Sequence, residues 1–173
     1  MKRFSLYILL LITILALDSC RLVSRVGHSI FSYNVQFESS FSNREIDSLI
    51  FAAKNYQGVA YRLGGIDEKG IDCSGLLFRT YADQNFSIPR VTSQQALYGL
   101  PVSLDALAKG DWVFFKTNGS TSLNHVGLVT DVRSLREIIF IHASTSKGVR
   151  EDNLYSNYWF NVFQQAIRPF KNK

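Results

Sequence analysis

Two cysteines, Cys20 and Cys73, are all that the chain contains, so a single bridge between them is the only disulfide the sequence allows. Nor is there a dense Lys/Arg block interleaved with aromatics. The net charge of +5 is scattered, which argues against nucleic acid as a partner and is compatible with an anionic membrane or cell wall. No apolar run is long enough to span a bilayer, which takes about 20 residues; Phe4 to Leu17 supplies about 14. Internal repeats, low-complexity blocks and the paired Cys/His spacing of zinc motifs are also lacking. What remains is 173 residues, 46% of them hydrophobic: enough for one domain with a real core and too few for two ordinary ones.

The N-terminus predicts a compartment. Met1-Lys2-Arg3 is a short basic region, the apolar run follows, and Leu17-Asp18-Ser19-Cys20 comes at once. This order reads as a signal peptide over residues 1–19, with an uncleaved anchor as the alternative. Leu-Asp-Ser-Cys resembles a bacterial lipobox, although Asp18 departs from the small apolar residue usual there. The resemblance makes Cys20 a lipid-bearing N-terminus, and several acyl chains at about 0.8 kcal/mol per buried methylene would hold it on a membrane. Lipidation of Cys20 would leave Cys73 as a free thiol in an oxidising compartment, whereas the disulfide reading would use both. Residues 20–42, Ser-rich and without clear period, read as a tether whose Phe31, Tyr33, Phe37 and Phe41 leave partial docking open.

The remaining segment, 43–173, is the expected domain. Ser42 or Asn43 can cap a helix from Arg44 to about Asn55, with Ile46, Ile50 and Ala53 on one stripe. A glycine-broken loop then runs into Asp72-Cys73-Ser74-Gly75, where Asp72 can cap a helix from Cys73 to about Gln84. Thr92 can cap a short one through about Tyr98. From Leu107 the period becomes two, predicting strands at Asp111–Lys116, His125–Asp131 and Glu137–Ala143, around Val149, and at Phe163–Pro169. Helices first and an antiparallel sheet second is an α+β pattern, with N-terminal helices packed on the sheet.

Cys73 falls at a helix N-terminus, where unpaired N–H groups and the helix dipole favour thiolate over thiol. A hairpin closed by Val132-Arg133-Ser134-Leu135 would pair Leu128 with Ile139 and, carried outward, His125 with His142. Their Cβ atoms would lie about 4.5–5.5 Å apart on one face. A two-residue change of pairing keeps them on that face, and a one-residue change separates them. Gly127 would leave space beside His125 for Cys73 and a substrate. Each histidine alone is an ordinary structural residue. Opposed to each other and joined by a free helix-end cysteine, they suit acyl transfer: His125 as base and then acid, His142 holding its tautomer, helix-end N–H groups facing the oxyanion.

Tyr61-Arg-Leu-Gly-Gly, Asp72-Cys-Ser-Gly, Pro89-Arg90, Gly110-Asp111, Asn124-His-Val-Gly and His142-Ala-Ser-Thr-Ser together resemble the NlpC-type cell-wall cysteine peptidases, from about Glu45 to Arg168. The resemblance implies a papain-like α+β fold and a catalytic triad of Cys73, His125 and His142. It implies hydrolysis of peptide bonds at a diaminoacid in peptidoglycan stems or cross-links, without metal or cofactor. It places Tyr61 near the nucleophile and Asp72 and Ser74 beside the bound peptide, each with a purely structural alternative. It also implies the outer membrane, facing the periplasm; the chain is expected to be a monomer acting on the intact sacculus or large fragments. An amidase or lipid acyltransferase on the same scaffold, a non-catalytic wall-binding lipoprotein, and a zinc site on Cys73, His125 and His142 remain alternatives. The helix-then-sheet order follows the peptidase branch.

Overall fold

The computed structural model describes residues 41–171. The signal peptide, Cys20, His28 and all but the end of the expected tether lie outside them. Ser42 opens helix α1 (Asn43–Lys54) with a capping box: its hydroxyl accepts the Glu45 N–H while the Glu45 carboxylate accepts the Ser42 N–H. Lys171 closes on the same carboxylate at 2.7 Å, tying the end of the described chain to the start of this helix. Leu49, Ile50, Ala52 and Ala53 are its buried residues. Phe41, on the tether side of the expected boundary, is buried too, edge-on to Tyr81 and Phe86.

A two-strand hairpin, β1 (Ile66–Asp67) and β2 (Gly70–Ile71), leads into α2 (Cys73–Asp83). Both hairpin strands are too short to show a sequence period. Asp72 caps α2 by accepting the Gly75 N–H at 2.6 Å. Leu76, Leu77, Thr80 and Tyr81 are buried along the helix, each aliphatic side chain contributing on the order of 2 kcal/mol of burial. Tyr81 anchors α2 to the sheet, its hydroxyl accepting the Trp112 indole N–H at 2.9 Å. Gly75 cannot carry a side chain, because a Cβ there would sit 2.2 Å from the Gly65 carbonyl oxygen.

Next come α3 (Thr92–Gln95), β3 (Gly99–Val102), a 3-10 turn at Leu104–Ala106, β4 (Trp112–Phe115), β5 (His125–Ser134), β6 (Glu137–Ser144), β7 (Gly148–Asn153), α4 (Asn157–Val162) and β8 (Phe163–Pro169). α3 is shorter than expected and begins without a side-chain cap: its N-cap is Val91, not Thr92. The strands form one six-stranded sheet in the order β3-β8-β4-β5-β6-β7, antiparallel at every pairing. One hydrophobic cluster joins α1 and α2 to Trp112, Phe114, Val126, Leu128 and Ile141. A second gathers Val113, Phe115, Val129, Ile138, Phe140, Leu154 and Trp159. The fold is α+β, as the change of period from helical to two predicts.

The β5–β6 hairpin differs from the sequence expectation. It closes tightly at Leu135-Arg136, since Ser134 pairs with Glu137, and two irregularities leave Thr130 and Arg133 out of the pairing. Leu128 therefore faces Ile141 instead of Ile139. Each bulge shifts the register by one residue, and the two together restore the face. Carried outward, this register sets Gly127 across from His142 and places His125 diagonally to it. Diagonal aromatic side chains still reach one another.

Candidate functional site

Cys73 is the first residue of α2, a free thiol only 5% exposed. Its Sγ lies 3.8 Å from the carbonyl oxygen of Asn124. The Val126 N–H, the Thr92 hydroxyl and the Ser74 N–H also act on the sulfur. The residues immediately before and after His125 thus both address Cys73. Burial has the largest influence on the thiol and pushes its pKa up, the Asp72 charge adds to this, and the three donors do not reverse it. The expectation that the helix end would favour thiolate is corrected here: desolvation outweighs the helix-end donors.

His125 opens β5 and is also buried. Its Nε2 is 2.9 Å from His142 Nδ1. Desolvation, followed by repulsion from His142, lowers its pKa to about 3, so the ring is neutral at ordinary pH. Trp159 of α4 stacks on His125 at 5.4 Å and 16°, and meets His142 edge-on at 4.7 Å. His142 is fully buried with its Nε2 3.0 Å from Asp152 Oδ2. Phe140 stacks on the His142 ring, and a Cβ on Gly127 would meet the Phe140 ring at 2.5 Å. The open space expected beside Gly127 is therefore filled by Phe140, not held for the thiol.

Tyr61 is half-buried against the helix-side cluster. Burial raises its phenol pKa, and the charges of Cys73 and Asp72 raise it further. Asp72 is saturated: Oδ1 accepts from the Gly75 N–H, the Ser74 hydroxyl and Arg90, while Oδ2 accepts from the Gly64 N–H and Arg90. Burial pushes its carboxyl up, but Arg90 and the two N–H groups prevail and hold it below the usual range. The Ser74 hydroxyl also accepts from Arg90 at 2.9 Å, so Arg90 ties the helix start to the Gly65 carbonyl of the preceding loop.

Sequence reasoning passes over Asp152 and Trp159 and reads Thr92 only as a helix cap. Continuing the alternation of β7 from Val149 would have aligned Arg150 and Asp152 on one face beside His142. The helical segment carrying Trp159 is too short to show a period. Among the described residues no cluster of three or more His, Cys, Asp or Glu is arranged to hold a metal ion. Nor is any helix among them long and apolar enough to cross a membrane.

The NlpC/P60 family pattern matches residues 58–168, which contain every residue of this cluster. The chain is 37% identical over 163 residues to the Escherichia coli K12 protein named "Probable endopeptidase NlpC", covering 94% of this chain and 98% of that one. It is 38% identical over 135 residues to Escherichia coli K12 "Murein DD-endopeptidase MepS/Murein LD-carboxypeptidase", covering 77% and 68%. Among solved structures, a Staphylococcus aureus NLP/P60 family protein described as similar to lipoprotein superposes with a TM-score of 0.67 at 28% identity. That superposition covers 79% of this chain and 45% of the other, so this chain spans less than half of the solved one. On the matched pattern and on these identities, the chain belongs to the NlpC/P60 family.

Proposed function

We propose that the chain is a peptidoglycan endopeptidase that hydrolyses peptide bonds at a diaminoacid in stem peptides or cross-links by a Cys-His-His thiol mechanism. The observation that carries this reading is the bonded pair His125–His142, with Cys73 addressed by the residues flanking His125. The name of the Escherichia coli murein DD-endopeptidase supplies the substrate class, and both Escherichia coli relatives are named endopeptidases.

Thiol and imidazole both rest neutral, so the nucleophile forms as it is used. His125 takes the thiol proton while Sγ attacks the carbonyl carbon. The Gly75 and Leu76 N–H groups are already taken by Asp72, which leaves the amides of Cys73 and Ser74 at the helix head to face the oxyanion. His125 then passes the proton to the leaving amine, and water, deprotonated by the same ring, releases the acyl group from sulfur. His142 holds His125 in orientation throughout. Tyr61 contributes a phenol to the substrate wall. Asp72 and Ser74 form the rest of it and act through the Arg90 lock, since the Asp72 oxygens already accept five hydrogen bonds.

The same reading places residues 1–19 as a lipoprotein leader, Cys20 as an acylated N-terminus, 20–42 as tether and 43–173 as the peptidase domain. The enzyme then works as a monomer held on the outer membrane, facing peptidoglycan in the periplasm. A Cys20→Ala chain should leave the membrane fraction.

The test is digestion of purified sacculi followed by mass spectrometry of the muropeptides. Wild type should convert cross-linked dimers to monomers or shorten stems, and Cys73→Ala should not. Identical muropeptides from both proteins would remove the assignment.

A further inference from the structure

We infer that Asp152 is a positioning residue that dictates which nitrogen of each active-site histidine carries the proton, and so leaves His125 Nδ1 bare for the Cys73 thiol. Asp152 lies on β7, with Oδ2 held by the Trp159 indole N–H at 3.1 Å and Oδ1 held by Arg150 at 2.6 Å. Arg150 leaves its own Nε buried without a partner, so the guanidinium contacts Asp152 at one nitrogen only. These donors keep the carboxyl ionised; burial opposes this, but His142, Trp159 and Arg150 together prevail.

An ionised carboxylate only accepts hydrogen bonds. The 3.0 Å contact to His142 Nε2 therefore requires the proton on that nitrogen. A neutral His142 is then bare at Nδ1 and can only accept there. The 2.9 Å contact between His142 Nδ1 and His125 Nε2 accordingly takes its proton from His125 Nε2. His125, neutral in its buried site, is left bare at Nδ1, the nitrogen that makes no hydrogen bond among the described residues. One carboxylate thus sets the direction of two consecutive hydrogen bonds.

Without that acceptor the pair could reverse, with His142 Nδ1 donating to His125 Nε2. The His125 proton would then sit on Nδ1, and the ring would offer the thiol a donor where a base is needed. Trp159 serves both ends, bonding the carboxylate and stacking on His125. The charged and titratable groups around this chain are His125 and His142 on β5 and β6, Arg150 beside Asp152 on β7, and Cys73 and Asp72 on the α2 side. Asp152 touches none of the reacting atoms and acts only through His142.

The experiment uses the full chain, Asp152→Ala and Asp152→Asn, with two readouts. Nitrogen-15 NMR of the imidazoles, assigned by histidine substitution, reports the tautomers directly. Steady-state kinetics on a soluble muropeptide rests on the peptidase reading, whereas the tautomer measurement does not. In wild type at neutral pH both rings should be protonated at Nε2 and bare at Nδ1. Asp152→Ala should show mixed tautomers, with kcat lower by about tenfold to a hundredfold and KM unchanged, a smaller loss than removing the direct histidine partner of a triad causes. Asp152→Asn retains an acceptor oxygen for His142 and Trp159, and should restore the tautomers and most of kcat. Wild-type rings protonated at Nδ1 would overturn the inference, whatever the variants do. So would unchanged tautomers in Asp152→Ala, or an Asp152→Asn protein with wild-type tautomers and no recovery of kcat.

Discussion

Lowering the pH from 7 to 5 should destabilise the domain through one side chain, His125. Its folded pKa lies at about 3 against 6.5 for a free imidazole, because burial and the neighbouring His142 penalise the charged ring. With the folded value depressed, the unfolded chain binds the proton first. Stability from this group is therefore complete above 6.5, and it falls as pH drops below 6.5 until the folded ring begins to protonate near 3. The slope is about 1.4 kcal/mol per pH unit, giving a loss of about 2 kcal/mol at pH 5. With a urea m-value of about 2 kcal/mol per molar, the midpoint should move down by about 1 M. Glu45, Asp72 and Asp152, whose carboxyls are held low, lose their contributions only at more acid pH. Urea unfolding of wild type and His125→Gln at both pH values, followed by tryptophan fluorescence, isolates the histidine, because every other group is common to the two proteins. The variant should lose much less than the wild type. Equal losses would refute the reasoning.

Three substitutions probe the supports of the site. Gly75→Ala should destabilise by about 1–3 kcal/mol in thermal unfolding, opposite in sign to the usual gain from alanine in a helix, because its Cβ would be forced against the Gly65 carbonyl and the Asp72 carboxylate. Arg90→Ala strips a buried carboxylate of its charged partner while three other donors remain; unfolding measurements should show a cost near the lower end for a broken buried pair, about 3 kcal/mol, with activity lost at the same time. Tyr81→Phe leaves the buried Trp112 N–H without its acceptor, and should cost about 1–3 kcal/mol with little change in kcat, since neither ring touches the reacting groups.

The elements that frame the site are legible in the sequence because each carries its own local signal. Ser42 with Glu45 three residues on marks the start of α1, Asp72 followed by an apolar pattern marks α2, and the period of two marks β4 to β6 and β8. The short pieces β1, β2, β3 and α4 are too brief to carry a period of their own. The histidine pair shows both the reach and the limit of pattern reading. Alternation places His125 and His142 on a common face, but the register depends on where the chain turns and on two bulges at Thr130 and Arg133, which no spacing rule announces. Two opposing effects also meet at Cys73. The helix start is real, yet its effect on the thiol is overridden by burial, a quantity that depends on the whole packed domain. Asp152 is not legible for a similar reason: its importance comes from reaching across to His142 on the neighbouring strand, and nothing in its own sequence neighbourhood shows this.

On the proposed mechanism His125 is the base toward the sulfur of Cys73, so removing its imidazole should slow alkylation of that thiol. Iodoacetamide modification of the Cys73 peptide, followed by mass spectrometry at pH 7 in wild type and His125→Gln, reads that coupling without any substrate. The rate should be lower by about a hundredfold or more in the variant, in keeping with the usual contribution of a positioned general base. Equal rates in the two proteins would contradict it.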